Sequence, residues 1–387
     1  MKKNKILLVS GSYPNIFCGV GDYIRKLAKK LLFSNFDVSV LTSADAVIQR
    51  NEYIYPIIKK WGFFGLVKAL FFVKKIRPEL INLHIPTIRY RATFSIMGFF
   101  PILAKIFFKD IPVVVTIHDF SISKPHFKIF FLPLLITPEK IIITNNSDER
   151  DIVKRFPFVK NKIKKIYIAP SVELEDWDKN KEKEFLKRVN YKEKDLFIST
   201  FGLIKPDRYL EVIIKAFYEL ANKNDALKLL VIGGVPKAQY KQYLKSLTDL
   251  CYNLKLENKV FWLGFCDSGE VSFYLSKSLL SILLYERGAS FRRSSLINCM
   301  LRDVPVVTNV NSKYGLDQDL LNSGVALFVD SIDIDKILKK TKSILYDNNT
   351  AQKMKENMRM LKNLFQWHTV IAETSDLFSG IISNRRI

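Results

Sequence analysis

Residues 279–308 read "LLSILLYERGASFRRSSLINCMLRDVPVVT". An apolar run gives way to a loop of small residues and two adjacent arginines. A segment with helical apolar spacing follows, and the stretch ends on the β-like run "VPVV" (304–307). Strand, polar loop, helix and strand is the grammar of a βαβ unit. In such units ligands collect at the loop between the strand's carboxyl end and the helix. The question is which ligand wants Arg292 and Arg293 beside Ser294 and Ser295 at a helix start.

The same grammar extends to both sides. Runs at 195–202, 227–234, 259–264, 304–310 and 325–330 read as strands around the 279–286 run, with helical stretches such as 209–223, 237–254 and 349–365 between or after them. An earlier series has strands at 5–10, 37–42, 80–84, 112–118, 140–145 and 164–169. These runs are apolar nearly throughout, the mark of parallel strands covered on both faces. Two successive β-α series predict an α/β protein with two doubly wound, parallel-sheet (Rossmann-like) domains. The boundary is expected in the charged, strand-poor segment 171–194. This divides the chain into a first domain at 1–170, a second at 171–365, and a tail at 366–387 whose packing the pattern leaves open.

The chain has 387 residues, 48% of them hydrophobic, enough for two full cores. Its formal charge is +23. A surplus that large points to an anionic partner, or else reflects a Lys-rich composition with no functional meaning. No recognised nucleic-acid motif accompanies the charge, so nucleic acid is not an expected partner. Cys18, Cys251, Cys266 and Cys299 lack metal-like or CxxC spacing and read as free thiols in a reducing compartment. The apolar run near the N-terminus is too short for a signal-peptide core, and no stretch reaches the ~20 residues of a spanning helix. A cytoplasmic location is expected.

Several residues carry possible chemistry. "CGVGDYIRKL" (18–27) places Gly19 and Gly21 at a helix start, where backbone N–H groups can approach a bound diphosphate; a plain turn explains them as well. Asp22, next in the chain, reads equally as a helix cap or as a base. His118 ends "VVVTIHDF" at the carboxyl end of a buried strand, where an imidazole can meet a hydroxyl or a developing charge. His84 ends the preceding strand, with no acid after it. "TNNSDERDIVKRF" (144–156) reads as a helix capped by Asn146 or Ser147. In "FGLIKPDRYLEVIIKAF" (201–217), Lys205 and Arg208 follow a glycine at a strand end, within reach of a bound diphosphate. "VIGG" (231–234) ends the next strand with two small residues.

These motifs, with "VFWLGF" and the opening stretch, stand in an order that resembles the bacterial group 1 glycosyltransferases of the family 4 type, over roughly residues 5–330. The resemblance implies the GT-B architecture, two Rossmann-like domains facing across a cleft. It further implies sugar transfer from a nucleotide-sugar, as co-substrate, with retention, usually without a metal or other cofactor. By resemblance the second domain binds the donor and the first the acceptor. Arg208 matches the family's phosphate-binding lysine, and Leu203 stands where an arginine is usual, so Lys205 would substitute. Many members carry two glutamates in the donor loop; here those positions are Ser290 and Asn298, which would contact the donor sugar and ribose through weaker groups, beside Gly288. A subgroup with G-x-S-x-R-R matches Gly288 to Arg293. The opening question then has a physical answer: Arg292, Arg293, Ser294, Ser295 and a helix N-terminus suit a nucleotide diphosphate. A solvated helix start paired to acids such as Asp303 is the alternative.

The expected activity is a hexosyl transfer to a saccharide or lipid-linked acceptor in bacterial polysaccharide synthesis. The alternatives are a non-catalytic or regulatory GT-B protein and a nucleotide-sugar epimerase or hydrolase. The donor is a UDP-, GDP- or ADP-sugar. An anionic membrane surface is a further expected partner, at the inner face of the cytoplasmic membrane. "KKWGFFGLVKALFFVKKIR" (59–77) and "FSIMGFFPILAKIFFKD" (94–110) mix aromatic residues with lysines. As a helix, 59–77 gathers Lys60, Lys68, Lys74 and Lys75 within an arc of roughly 120°, which Phe64 and Phe71 share. Such a helix is either core or membrane-interfacial.

Overall fold

The computed structural model describes residues 3–14, 19–46, 52–86, 94–121, 123, 125–173, 175–177 and 179–385. Cys18 lies outside the described residues. The chain forms two compact units, one of residues 1–171 with 364–387, the other of residues 172–363.

In the first unit the strands are β1 (Asn4–Val9), β2 (Phe36–Ser43), β3 (Ile54–Ile58), β4 (Leu80–Ile85), β5 (Val113–Ile117), β6 (Lys140–Ile143) and β7 (Ile163–Lys165). They form one sheet in the order β3-β2-β1-β4-β5-β6-β7, parallel throughout. The helices are α1 (Gly19–Phe33), α2 (Phe63–Ile76), α3 (Phe94–Gly98), α4 (Phe100–Phe107), α5 (Leu132–Ile136) and α6 (Asn146–Arg155). Two apolar layers cover the sheet. On one side Leu7, Val9, Leu83 and Val115 pack with Leu66, Phe72 and Phe100. On the other Ile6, Leu8 and Val40 pack with Ile24, Leu27 and Leu31 of α1. Burial on both faces explains why these strands are apolar without alternation.

The second unit contains α7 (Lys179–Arg188), β8 (Leu196–Phe201), α8 (Leu210–Ala221), β9 (Leu227–Ile232), α9 (Lys241–Asn253), β10 (Val260–Gly264), α10 (Ser268–Ser276), β11 (Ser278–Leu283), α11 (Ser294–Leu301), β12 (Val306–Asn309), α12 (Gln318–Asn322), β13 (Ala326–Val329), α13 (Ile334–Tyr346) and α14 (Asn348–Leu361). Its sheet runs β10-β9-β8-β11-β12-β13, again all parallel. The chain ends in α15 (Trp367–Ser383), whose Trp367, Val370, Phe378 and Ile382 join the α1 layer of the first unit.

Several sequence expectations change, among them the strand expected at 164–169, which forms only over Ile163–Lys165. β3 was not expected; its sequence, "IYPII", contains Pro56, which an edge strand tolerates. The stretch 94–110 is two helices, parted at Phe99, with Pro101 in the first turn of α4 where a missing N–H costs nothing. The cap of α6 is Asn145, not Asn146 or Ser147: its side-chain oxygen accepts from the Asp148 N–H at 2.8 Å. Cys251, Cys266 and Cys299 are free, and burial pushes each thiol up to about 11.

Candidate functional site

Each sheet reverses its strand order at one place, between β1 and β4 in the first unit and between β8 and β11 in the second. Loops diverge above the carboxyl ends of those two strands, so such a point opens a crevice. Most of the residues singled out from sequence lie at these two points.

In the second unit, β8 ends at Phe201 and Gly202 follows with φ +145°, a conformation that L side chains rarely adopt. A Cβ there would stand 3.2 Å from the Arg208 guanidinium, so the glycine lets that side chain lie over the strand end. Gly233, at the end of β9, also has positive φ, and a Cβ would collide with the Gly202 carbonyl at 1.9 Å. The two glycines keep the strand ends close, beside a recess lined by Thr200, Gly202, Leu203, Arg208 and Leu284.

β11 stops at Leu283, short of the expected end at 286. Tyr285 is nonetheless fixed by Asn309: the Tyr285 N–H donates to Oδ1 at 2.8 Å, and Nδ2 donates to the Tyr285 carbonyl at 2.9 Å. The ring is buried, and its hydroxyl shares a hydrogen with Ser295 Oγ at 2.8 Å. The guanidinium of Arg208 lies 4.5 Å from the ring centroid and that of Arg293 lies 4.8 Å away. Tyr285 thus gathers two cations that are 85 residues apart in the chain, through the attraction of a ring face for positive charge. Burial raises its phenol pKa, and Arg208 opposes that rise. The Glu286 N–H donates to the Asp207 carbonyl at 3.0 Å and joins the two loops directly.

Arg293 donates from Nη2 to the Gly288 carbonyl at 3.1 Å. Gly288 has φ +74°, and a Cβ would lie 2.7 Å from the Asn311 nitrogen, so glycine is required there. The Phe291 N–H donates to Asp317 Oδ2 at 2.9 Å, a strap across the loop; burial raises that carboxyl's pKa. Arg292 and Ser294 are half-buried beside the start of α11, which has no side-chain cap. Ser295 faces inward to Tyr285. Ser290 is buried, and its Oγ accepts from the Arg292 N–H at 3.4 Å. Asn298 is fully buried; its Nδ2 donates to the Ser294 carbonyl at 2.9 Å, and its Oδ1 accepts from Arg302 at 2.7 Å. Lys205 pairs with Asp207 at 2.8 Å.

At the switch point of the first unit, Gly21 packs tightly: a Cβ would stand 3.2 Å from backbone atoms of Ser12 and Tyr13. Nothing described lies within 4 Å of the corresponding point at Gly19. Asp22 is half-buried, and burial raises its carboxyl pKa against the pull of Arg25 and Lys26. His118 and His84 end neighbouring strands, with His84 Nδ1 and His118 Nε2 3.2 Å apart and the rings stacked. Tyr23 packs on both imidazoles and stacks on Trp367. Burial first, and His118 second, hold His84 well below its usual pKa, so it stays neutral.

Sequence reading missed Tyr285, Asn309 and Asp317 and underweighted His84. Their signals are weak: Tyr285 only ends an apolar run, and the pairing of His84 with His118 depends on the β4–β5 register, His84 opposite Thr116.

Comparison with known proteins adds the family. Residues 181–360 match the family model described as glycosyl transferases group 1. Over 300 residues the chain is 22% identical to the alpha-monoglucosyldiacylglycerol synthase of Streptococcus pneumoniae; the match covers 70% of this chain and spans 63% of that relative's length. Sucrose-phosphate synthase from Thermosynechococcus elongatus superposes with a TM-score of 0.72 at 16% identity, covering 99% of this chain and 100% of that one. Anabaena Alr3699/HepE, in complex with UDP and glucose, superposes with a TM-score of 0.65 at 15% identity, covering 97% and 99%. The two parallel-sheet units are those of the GT-B fold, and residues 181–360 are similar to the group 1 glycosyl transferases.

Proposed function

We propose that the protein transfers a sugar, with retention, from a nucleotide-sugar to a saccharide or lipid-linked acceptor. The observation that carries this reading is the convergence of Arg208 and Arg293 on Tyr285 at the switch point of the second sheet. As the bond from the anomeric carbon to the diphosphate breaks, negative charge collects on the leaving phosphate. Two guanidiniums already placed, beside the start of α11, stabilise that charge without reorganising. Arg292, Ser294 and Lys205 add donors around the same loops. Ser290, Gly288 and Asn298 shape the loop that meets the donor sugar and ribose, with Asn298 acting through its hold on the first turn of α11. A UDP-sugar is the first donor to try, since a structural relative was solved with UDP and glucose.

The first unit supplies the acceptor side. His118 orients a sugar hydroxyl, with His84 holding its ring. Asp22 takes the acceptor's proton, a role that a carboxylate made more basic by burial favours.

The test is turnover of UDP-, GDP- and ADP-sugars with and without candidate acceptors. Arg208→Ala and Arg293→Ala should each lower kcat/KM by roughly 10²-fold or more in a folded protein. Normal turnover in both variants would remove the arginines from the site. A second reading, a non-catalytic GT-B protein, is favoured by the lack of an acid at 290 and 298 and by the internal engagement of Asn298. Nucleotide binding without turnover of any sugar nucleotide would select it.

A further inference from the structure

The first unit exposes an apolar surface that its own core does not use. α2 turns Leu66, Ala69, Phe72 and Val73 inward. Its outer face carries Phe64, Lys68, Phe71 and Lys75, spaced by four, three and four residues, so they form one stripe along the helix. Phe64 is 87% exposed and Phe71 67%. α4, packed against α2, buries Phe100 and Ala104 and exposes Ile106 and Phe107, with Phe99 just before it. α5, packed against α4, adds exposed Ile136. Water-facing phenylalanines on neighbouring helices are more apolar surface than scattered exposure explains.

The charges carried by these helices have one sign. α2, α3, α4 and α5 contain no acidic residue, while Lys68, Lys74 and Lys75 are exposed among the rings, with Lys59 and Lys60 just before α2; Lys105 of α4, at the margin, pairs with Glu139 at 3.9 Å. A protein partner would be matched by apolar area with paired charges of both signs. Aromatic side chains ringed by lysines instead match the boundary of an anionic bilayer, rings among the acyl chains and ammonium groups at head-group level.

We infer that the α2–α4–α5 face of the first unit docks on an anionic lipid bilayer, with Phe64, Phe71 and Phe107 inserting and Lys68, Lys74 and Lys75 contacting head groups. As a statement about acceptor class, that a lipid-linked acceptor is met there, it rests on the proposed transferase activity; as a statement about a surface, it rests on these helices alone.

The experiment is flotation of the full chain with vesicles of about 30% phosphatidylglycerol in phosphatidylcholine, against phosphatidylcholine alone, at low and high salt. Binding should be at least about ten-fold stronger to the anionic vesicles and should fall as salt rises. Phe64→Ser/Phe71→Ser and Lys68→Glu/Lys75→Glu should each reduce it about ten-fold or more. All four positions are exposed, so the variants should keep the wild-type melting temperature and the wild-type nucleotide-sugar turnover measured without vesicles and with a soluble acceptor. That turnover separates the two claims: vesicle binding without turnover sinks the transferase reading only, and turnover without vesicle binding sinks the docking surface only. Negligible binding to both vesicles at low salt overturns the inference. So do phenylalanine variants that float as wild type does, or a concentration-dependent dimer that the same variants abolish.

Discussion

At the scale of single residues, the candidate site depends on side chains that hold other side chains. Tyr285 does this for Arg208 and Arg293, and His84 does it for His118. His84 has a consequence in solution. It is held neutral in the folded protein, whereas an exposed histidine takes up a proton near pH ~6.5. Below that value the unfolded chain binds more protons than the folded one, so stability must fall as pH falls, by up to ~1.4 kcal/mol per pH unit for one full proton. Urea unfolding between about pH 5 and 7.5 should show this decline. His84→Gln should flatten it; an unchanged slope in that variant would assign the effect to another group.

At the scale of elements, most strands and helices were legible because burial writes periodicity into sequence. Where an element ends was less legible, since ends are decided by single hydrogen bonds. α6 shows the difference. Three polar residues, Asn145, Asn146 and Ser147, all suit a cap by type. Only Asn145 has the extended backbone and the bond to the Asp148 N–H, and its Nδ2 also donates to Asp148 at 2.9 Å. Asn145→Ala should therefore cost ~1 kcal/mol or more, and Asn146→Ala a few tenths, in thermal denaturation. Equal costs would return the cap to the sequence-based choice. The end of β11 is a similar case, because Asn309 continues the pairing to Tyr285 with a side chain in place of a backbone.

At the scale of the whole molecule, the chain crosses between units twice, near residue 171 and near residue 363. The first unit is therefore incomplete without the end of the chain. Trp367, Val370, Phe378 and Ile382 fill its α1 face, and Trp367 Nε1 donates to the Pro170 carbonyl at 3.1 Å. Each of the large side chains contributes about 1.5–3 kcal/mol by burial. Residues 1–171 expressed alone should expose that face and aggregate, while 172–363 alone should stay soluble and melt cooperatively; a soluble, cooperatively melting 1–171 fragment would show that α15 is dispensable. The sequence by itself determined the class of fold, because strands covered on both faces must be apolar throughout, and it placed Arg208 in the loop after a strand, Arg293 at a helix start and His118 at a strand end. Tertiary structure alone decided which of these residues meet. The strand order sets β8 beside β11 and β4 beside β5, although 76 residues separate Leu283 from Asp207 and 34 separate His84 from His118. No local pattern encodes such a pairing. It arises from the packing of whole sheets, which also brought α15 back to the unit in which the chain began.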